Sequence, residues 1–202
     1  MKNIAVFASR KGTNFNAIAL AVKKGALKVN LALLVCDNPK APVLDKAKRM
    51  GVKTCLVKRE DFSAKEDFEK TIIRELKKHK INLVVMAGFM RMLSPYFVRA
   101  YKDRIINIHP ALLPSFKGAH AIKDAFDYGV KLTGVTVHFV DEAMDHGPII
   151  LQRQVAVKES DTLASLEARM HKVEHQLYPE AIRLIVRGKI RLKGRKVRVT
   201  GR

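Results

Sequence analysis

A chain of 202 residues, 48% hydrophobic and with only two cysteines, can bury a core without disulfide staples. Its 39 Lys and Arg against 19 Asp and Glu give a formal charge of +20, and eight of the basic residues fall in 187–202, a stretch with no acid. No apolar run approaches membrane-spanning length and no targeting segment precedes the first strand, so a membrane protein is not expected and a reduced, cytoplasmic one is.

The charge makes nucleic acid an obvious suspect. Against it, the sequence has no zinc-finger spacing, no RNA-recognition signature and 6% aromatic residues, few platforms for base stacking. Small anionic substrates explain a basic surface equally well.

Residues 4–8 read as a buried strand, residues 9–14 as a polar loop, and Phe15 to Val22 as a helix. A strand, small loop and helix aim backbone N–H groups at an anion, with Arg10 and Lys11 adding charge. Neither a Walker loop nor a dinucleotide fingerprint is present, and an ordinary capped turn reads equally well locally. Strands follow at 29–35 and 53–57, with a helix between them from Val43 to Met50. Ser63-Ala64-Lys65-Glu66 has the form of a capping box opening a helix whose apolar face is Phe68, Ile72, Ile73 and Leu76. Ile81 to Ala87 is a continuous apolar strand of the kind buried on both faces of a parallel sheet. The alternation predicts an α/β fold: a Rossmann-like, doubly wound, mostly parallel sheet with helices on both faces.

Met90, Arg91, Met92 and Leu93 follow that strand, where a flat ligand could lie between backbone groups and Arg91 could meet an anion. Ser94-Pro95 starts a helix. Arg104 to Ile108 is again strand-like, and Pro110 ends it. Asn107 and His109 are two apart, so on a strand they share a face. The carboxyl ends of strands are where α/β proteins keep their sites. A helix at 119–128 leads to strands at 132–140 and 149–157, an antiparallel pair given their short connection, and thus an antiparallel C-terminal portion. The connection, Asp141-Glu142-Ala143-Met144-Asp145-His146-Gly147-Pro148, is rich in carboxylates. Ser160-Asp161 caps a long helix with apolar residues from Leu163 to Leu184. It contains His171-Lys172-Val173-Glu174-His175, a formal match to an inverted zinc motif, but no third ligand is indicated and no metal is expected. Residues 187–202 read as a basic hairpin turning at Gly194, its charge protecting an exposed edge. Residues 1–186 form the expected single catalytic domain.

An imidazole beside a carboxylate favours the imidazolium, and with a fixed amide N–H it offers two donors to a developing oxyanion. With no nucleophile motif in sight, Asn107, His109 and Asp145 suggest direct acyl transfer to an amine.

Asn107-Ile-His-Pro-Ala-Leu-Leu-Pro114, preceded by Ala87-Gly-Phe-Met-Arg-Met-Leu93 and followed by the Asp141–Pro148 loop, resembles the 10-formyltetrahydrofolate-dependent formyltransferase family over about residues 1–186. The loop at Gly12 and the proline after His109 are similar to the branch that formylates a phosphoribosylated glycinamide in purine synthesis. The resemblance implies that Asn107 and His109 stabilise a tetrahedral intermediate and that Asp145 raises the pKa of the histidine and relays a proton. It implies a phosphate on Gly12, Thr13 and Asn14, and the glycinamide end of the acceptor near His171 and Glu174. Lys65, Met90, Arg91, Met92, Leu93, Asn107, Asp141, Glu142, Ala143, Met144 and Asp145 would bind 10-formyltetrahydrofolate, the co-substrate. The partners implied are these small molecules, with no membrane or nucleic acid, for a monomer or a homodimer. Arg10-Lys11, His146 and the basic tail depart from the family pattern. Other acceptor amines (a sugar nucleotide or an aminoacyl-tRNA) and hydrolysis of the formyl donor stay open. An extra C-terminal domain, expected of the tRNA enzymes, and an N-terminal regulatory domain, expected of the hydrolases, are not seen in the sequence.

Overall fold

In the computed structural model, which describes residues 1–200, Ile4 to Phe7 are fully buried, as a run of apolar residues without alternation requires of a strand covered on both faces. The elements in chain order are β1 (Asn3–Phe7), α1 (Thr13–Lys23), β2 (Asn30–Cys36), α2 (Val43–Arg49), β3 (Thr54–Leu56), α3 (Lys65–Lys78), β4 (Leu83–Met86), α4 (Pro95–Ala100) and β5 (Ile105–His109). They continue with α5 (Ala121–Tyr128), β6 (Leu132–Phe139), β7 (Ile149–Ala156), α6 (Leu163–Val186), β8 (Ile190–Lys193) and β9 (Lys196–Val199). Strand order is β3-β2-β1-β4-β5-β6-β7, with β8 and β9 a separate pair. β1 pairs in parallel with β2 and β4, and β2 with β3, whereas β7 runs antiparallel to β6. The mostly parallel sheet with an antiparallel C-terminal portion is therefore the fold that the alternation predicted. By contacts the chain divides into two compact units, Met1–Ile106 and Asn107–Arg202.

In the first unit, α3 buries Phe68, Ile72, Ile73 and Leu76, the face expected from their spacing. It also buries Glu69, at 1% exposure. That carboxylate accepts the backbone N–H of Ser94 at 2.8 Å and the Ser94 hydroxyl. Ser94 in turn caps α4 by accepting from the Phe97 N–H. The buried charge thus has donors on both oxygens, the condition under which burial is tolerated. The expected capping box at Ser63 does not form: Ala64 is the N-cap of α3 and offers no side-chain acceptor.

In the second unit, α6 buries Leu166, Met170, Leu177, Tyr178, Ala181 and Ile182. Its cap is Thr162, not Ser160-Asp161. Thr162 Oγ1 accepts from Ser165 N, and Ser165 Oγ accepts from Thr162 N, closing a reciprocal box. Asp161 instead binds the Arg169 guanidinium, which holds its carboxyl well below the usual carboxylate range. Among the described residues, no helix is long and apolar enough to cross a membrane.

Candidate active site

Two local constraints set where the site residues of the second unit point. β5 ends at His109, and the segment after it is tied down by a buried hydroxyl. Thr136 Oγ1 donates to Ala111 O at 2.7 Å and accepts from Leu113 N at 3.1 Å and from Gln152 Nε2 at 2.9 Å. Gln152 Nε2 also donates to Leu113 O at 3.0 Å. β6 and β7 thereby hold the Pro110–Pro114 segment through its backbone, where proline leaves few donors to do so.

The loop from 140 to 148 is closed at its base, with Phe139 N donating to Pro148 O at 2.9 Å. A Cβ on Gly147 would lie 1.8 Å from Phe139 O, so this close backbone approach admits only glycine. Asp145 sits in this loop at φ 47°, the left-handed region. A non-glycine residue held there carries strain of about 1–3 kcal/mol, and such strain persists where surrounding contacts over-determine it.

Those contacts are visible. Asp145 Oδ2 accepts from Gly118 N at 2.9 Å and lies 3.4 Å from His109 Nδ1. Its other oxygen is 3.9 Å from His138 Nε2. His109, 3% exposed, donates from Nε2 to Phe116 O at 2.8 Å. Each ring nitrogen of His109 therefore faces an oxygen acceptor, so a ring carrying both protons finds a partner on each side. Phe116 presents that carbonyl from a left-handed backbone, φ 50°.

His138 completes the cluster. Its Nδ1 donates to Phe139 O at 2.7 Å, which leaves Nε2 as the acceptor for Asn107 Nδ2 at 3.3 Å. Burial pushes the His138 pKa down, opposed by the Phe139 carbonyl and by Asp145. A neutral ring with a lone pair at Nε2 fixes which way the Asn107 amide turns and leaves its second N–H for a ligand. Asn107, His109 and Asp145 are thus brought together, with His138 as the connecting group. The sequence reading placed His138 on a strand and gave it no role. Its position two residues after Thr136, on the same strand face, is the signal that could have singled it out.

Asp141 accepts from Ala143 N at 3.1 Å and faces His146 Nδ1 at 2.7 Å. Glu142, Ala143 and Met144 are exposed on this loop. On α6, His171 Nδ1 donates to Glu174 Oε2 at 3.0 Å, with Glu174 buried and the histidine half exposed. Among the described residues, no group of three or more His, Cys, Asp or Glu is placed to hold a metal ion.

In the first unit, α1 begins at Thr13, two residues earlier than expected, because Gly12 adopts the left-handed conformation, φ 64°, and turns the chain straight into the helix. A Cβ at Gly12 would approach Val43 Cγ2 to 2.3 Å. The N-cap, Gly12, makes no side-chain bond and no acid lies in the first turn, so the positive end of the helix dipole at Thr13 is not offset by a carboxylate of its own turn. Asn14 is buried, and Arg10 and Lys11 are exposed.

After β4, Phe89 and Leu93 turn inward and Met90 and Met92 stay about half exposed, at 48% and 55%. Arg91 is anchored through one of its five N–H donors, and its side chain stays 44% exposed. Its Nε donates to Asp37, whose other oxygen takes the Ser9 hydroxyl. Lys65 is exposed at the first residue of α3.

Comparison with known proteins bears on this arrangement. The formyl transferase family model matches residues 2–182. The phosphoribosylglycinamide formyltransferase of Bacillus subtilis is 44% identical over 186 residues, 92% of this chain and 95% of that protein. The trifunctional purine biosynthetic protein adenosine-3 of Gallus gallus is 39% identical over 94% of this chain, which spans only 19% of that longer protein. The crystal structure of glycinamide ribonucleotide transformylase 1 from Symbiobacterium toebii superposes with a TM-score of 0.97 at 38% identity, covering 100% of this chain and 95% of that one. The chain belongs to the formyl transferase family.

Proposed function

We infer that the protein transfers the formyl group of 10-formyltetrahydrofolate to the amine of glycinamide ribonucleotide, a step of purine biosynthesis. The observation that carries this reading is the connected set His109, Asp145, His138 and Asn107. It supplies amide and imidazole donors and a carboxylate, with no nucleophilic side chain among them, which suits direct attack by an amine.

The chemistry follows from those groups. The acceptor amine attacks the formyl carbon and a C–N bond forms, while the carbonyl π electrons move to oxygen. The second N–H of Asn107 and the Nε2–H of His109 stabilise that oxyanion, the latter exchanging its present acceptor, Phe116 O, for it. The ammonium proton leaves by way of Asp145, directly or through water, and the bond to N10 of the folate breaks as N10 gains a proton. The start of α1 at Gly12, Thr13 and Asn14 takes the ribose phosphate, and His171 with Glu174 takes the glycinamide end. Met90, Met92, Leu93 and the 141–145 loop receive the folate, with Lys65 contributing charge. Arg91 joins them, its Nε steadied by Asp37 and its remaining N–H groups offered to the ligand. Residues 1–186 carry all of these groups as one catalytic domain.

The deciding experiment is an assay of formyl-donor loss with glycinamide ribonucleotide as acceptor. Stoichiometric N-formylation supports the reading. Turnover only with a different amine overturns the acceptor, and formate release without any acceptor identifies a hydrolase instead.

A further inference from the structure

We propose that the C-terminal hairpin is a positioning device for the loop that carries Asp145, acting through Arg195. This role rests on the formyltransferase reading for its effect on turnover, but not for the contact itself.

β8 and β9 pair from Ile190↔Val199 to Lys193↔Lys196, leaving Gly194 and Arg195 as a two-residue turn. Gly194, at φ 58°, supplies the positive φ that such a turn asks of its first central residue. The turn presents Arg195 to the 140–148 loop. Arg195 Nη2 donates to His146 O at 2.7 Å, and Nη1 lies 3.0 Å from His146 Nε2. His146 Nδ1 meets the Asp141 carboxylate at 2.7 Å, and Arg195 Nη1 lies 3.3 Å from that same nitrogen, so the guanidinium rests against the face of the ring. Asp141 in turn accepts from Ala143 N at 3.1 Å. The guanidinium therefore grips the residue next to Asp145 at both its backbone and its ring, and the grip continues through Asp141 into the loop backbone. Asp145 needs such support, because its left-handed backbone has to be held by its surroundings.

The hairpin is unsuited to stand alone. Arg191 faces Arg198, and Lys193 faces Lys196, directly across the ladder. Like charges so placed destabilise a pair of strands, and an isolated two-stranded hairpin is marginal in water. Its Ile190, Leu192, Val197 and Val199 face is half buried, and β9 lies next to β7. Docking thus orders the hairpin, and Arg195 transfers that order to the catalytic loop. His146 and the basic tail are one feature in space.

The test compares Arg195→Ala, His146→Ala and the double variant of the full chain, reading kcat, KM for the acceptor and hydrogen exchange of the 141–147 amides. Arg195→Ala is expected to lower kcat about tenfold, the size of effect that small misplacement of a catalytic group produces. KM and the unfolding midpoint stay unchanged, and the loop amides exchange faster. The double variant should lose less than the product of the single losses, because both single variants remove the contact between guanidinium and ring, while the bond to His146 O survives His146→Ala. Unchanged loop exchange, a change confined to KM, or losses that multiply would overturn the proposal. Should glycinamide ribonucleotide prove not to be the acceptor, the exchange measurement still decides the contact, so the two readings fail separately.

Discussion

Asn107 Nδ2 donates to His138 Nε2 across 3.3 Å, and the direction of that bond is dictated elsewhere. His138 Nδ1 already donates to Phe139 O at 2.7 Å, so Nε2 has only a lone pair to offer. Burial favours this neutral ring, and the Asn107 amide is turned by a histidine that need not touch substrate.

Replacing His138 with leucine removes the acceptor and frees the Asn107 amide to rotate. Turnover should fall by about one to two orders of magnitude, within the range for loss of a preorganised oxyanion donor. Steady-state kinetics should show the loss in kcat, and an unchanged kcat would remove His138 from the mechanism.

The lowered pKa of His138 also has a consequence for stability. Its folded value lies below the ordinary 6.5, so between the two values the unfolded chain binds the proton and the folded one does not. The contribution is present above 6.5 and is lost as pH falls through the folded value. Melting temperatures recorded downward from neutral pH should therefore drop below 6.5, and His138→Gln should show a shallower drop. Parallel curves for the two proteins would contradict this.

Asp145→Asn keeps an oxygen for the Gly118 N–H but loses the charge beside His109. That variant and His109→Ala should each lower kcat by roughly two orders of magnitude or more with the fold retained by circular dichroism. Near-normal rates for either would remove that residue from the chemistry.

Gly12→Ala faces two obstacles: a left-handed backbone, worth about 1–2 kcal/mol for a residue with a Cβ, and Val43 Cγ2 at 2.3 Å from that Cβ. The start of α1 must shift. KM for the phosphorylated acceptor should rise about tenfold or more, by the loss of oriented N–H groups, with a smaller change in kcat. An unchanged KM would place the phosphate elsewhere.

The two thiols should be poor nucleophiles. Burial pushes Cys36 up, and Cys55, also by burial, to about 11. Labelling with a thiol reagent at neutral pH should be slow until denaturant is added; rapid labelling of either would show that the site opens in the native protein.

Sequence alone determined what depends on neighbours along the chain. Continuous apolar runs placed the strands, and spacing of three and four found the buried face of α3. The interval of two between Asn107 and His109 put an amide and an imidazole on one strand face, and the motif around them pointed to formyl transfer. These are local matters of period and backbone restriction, so they survive without coordinates. Tertiary structure decided the pairings between distant residues. Glu69 is buried because Ser94, 25 residues on, supplies its donors. Arg91 is steadied by Asp37, 54 residues back. His138 became part of the site only when β6 set its Nε2 against Asn107, 31 residues away, and Arg195 reached His146 across 49. A side chain's spacing tells which face it lies on, but its protonation and hydrogen-bond direction depend on the partner that folding brings to it.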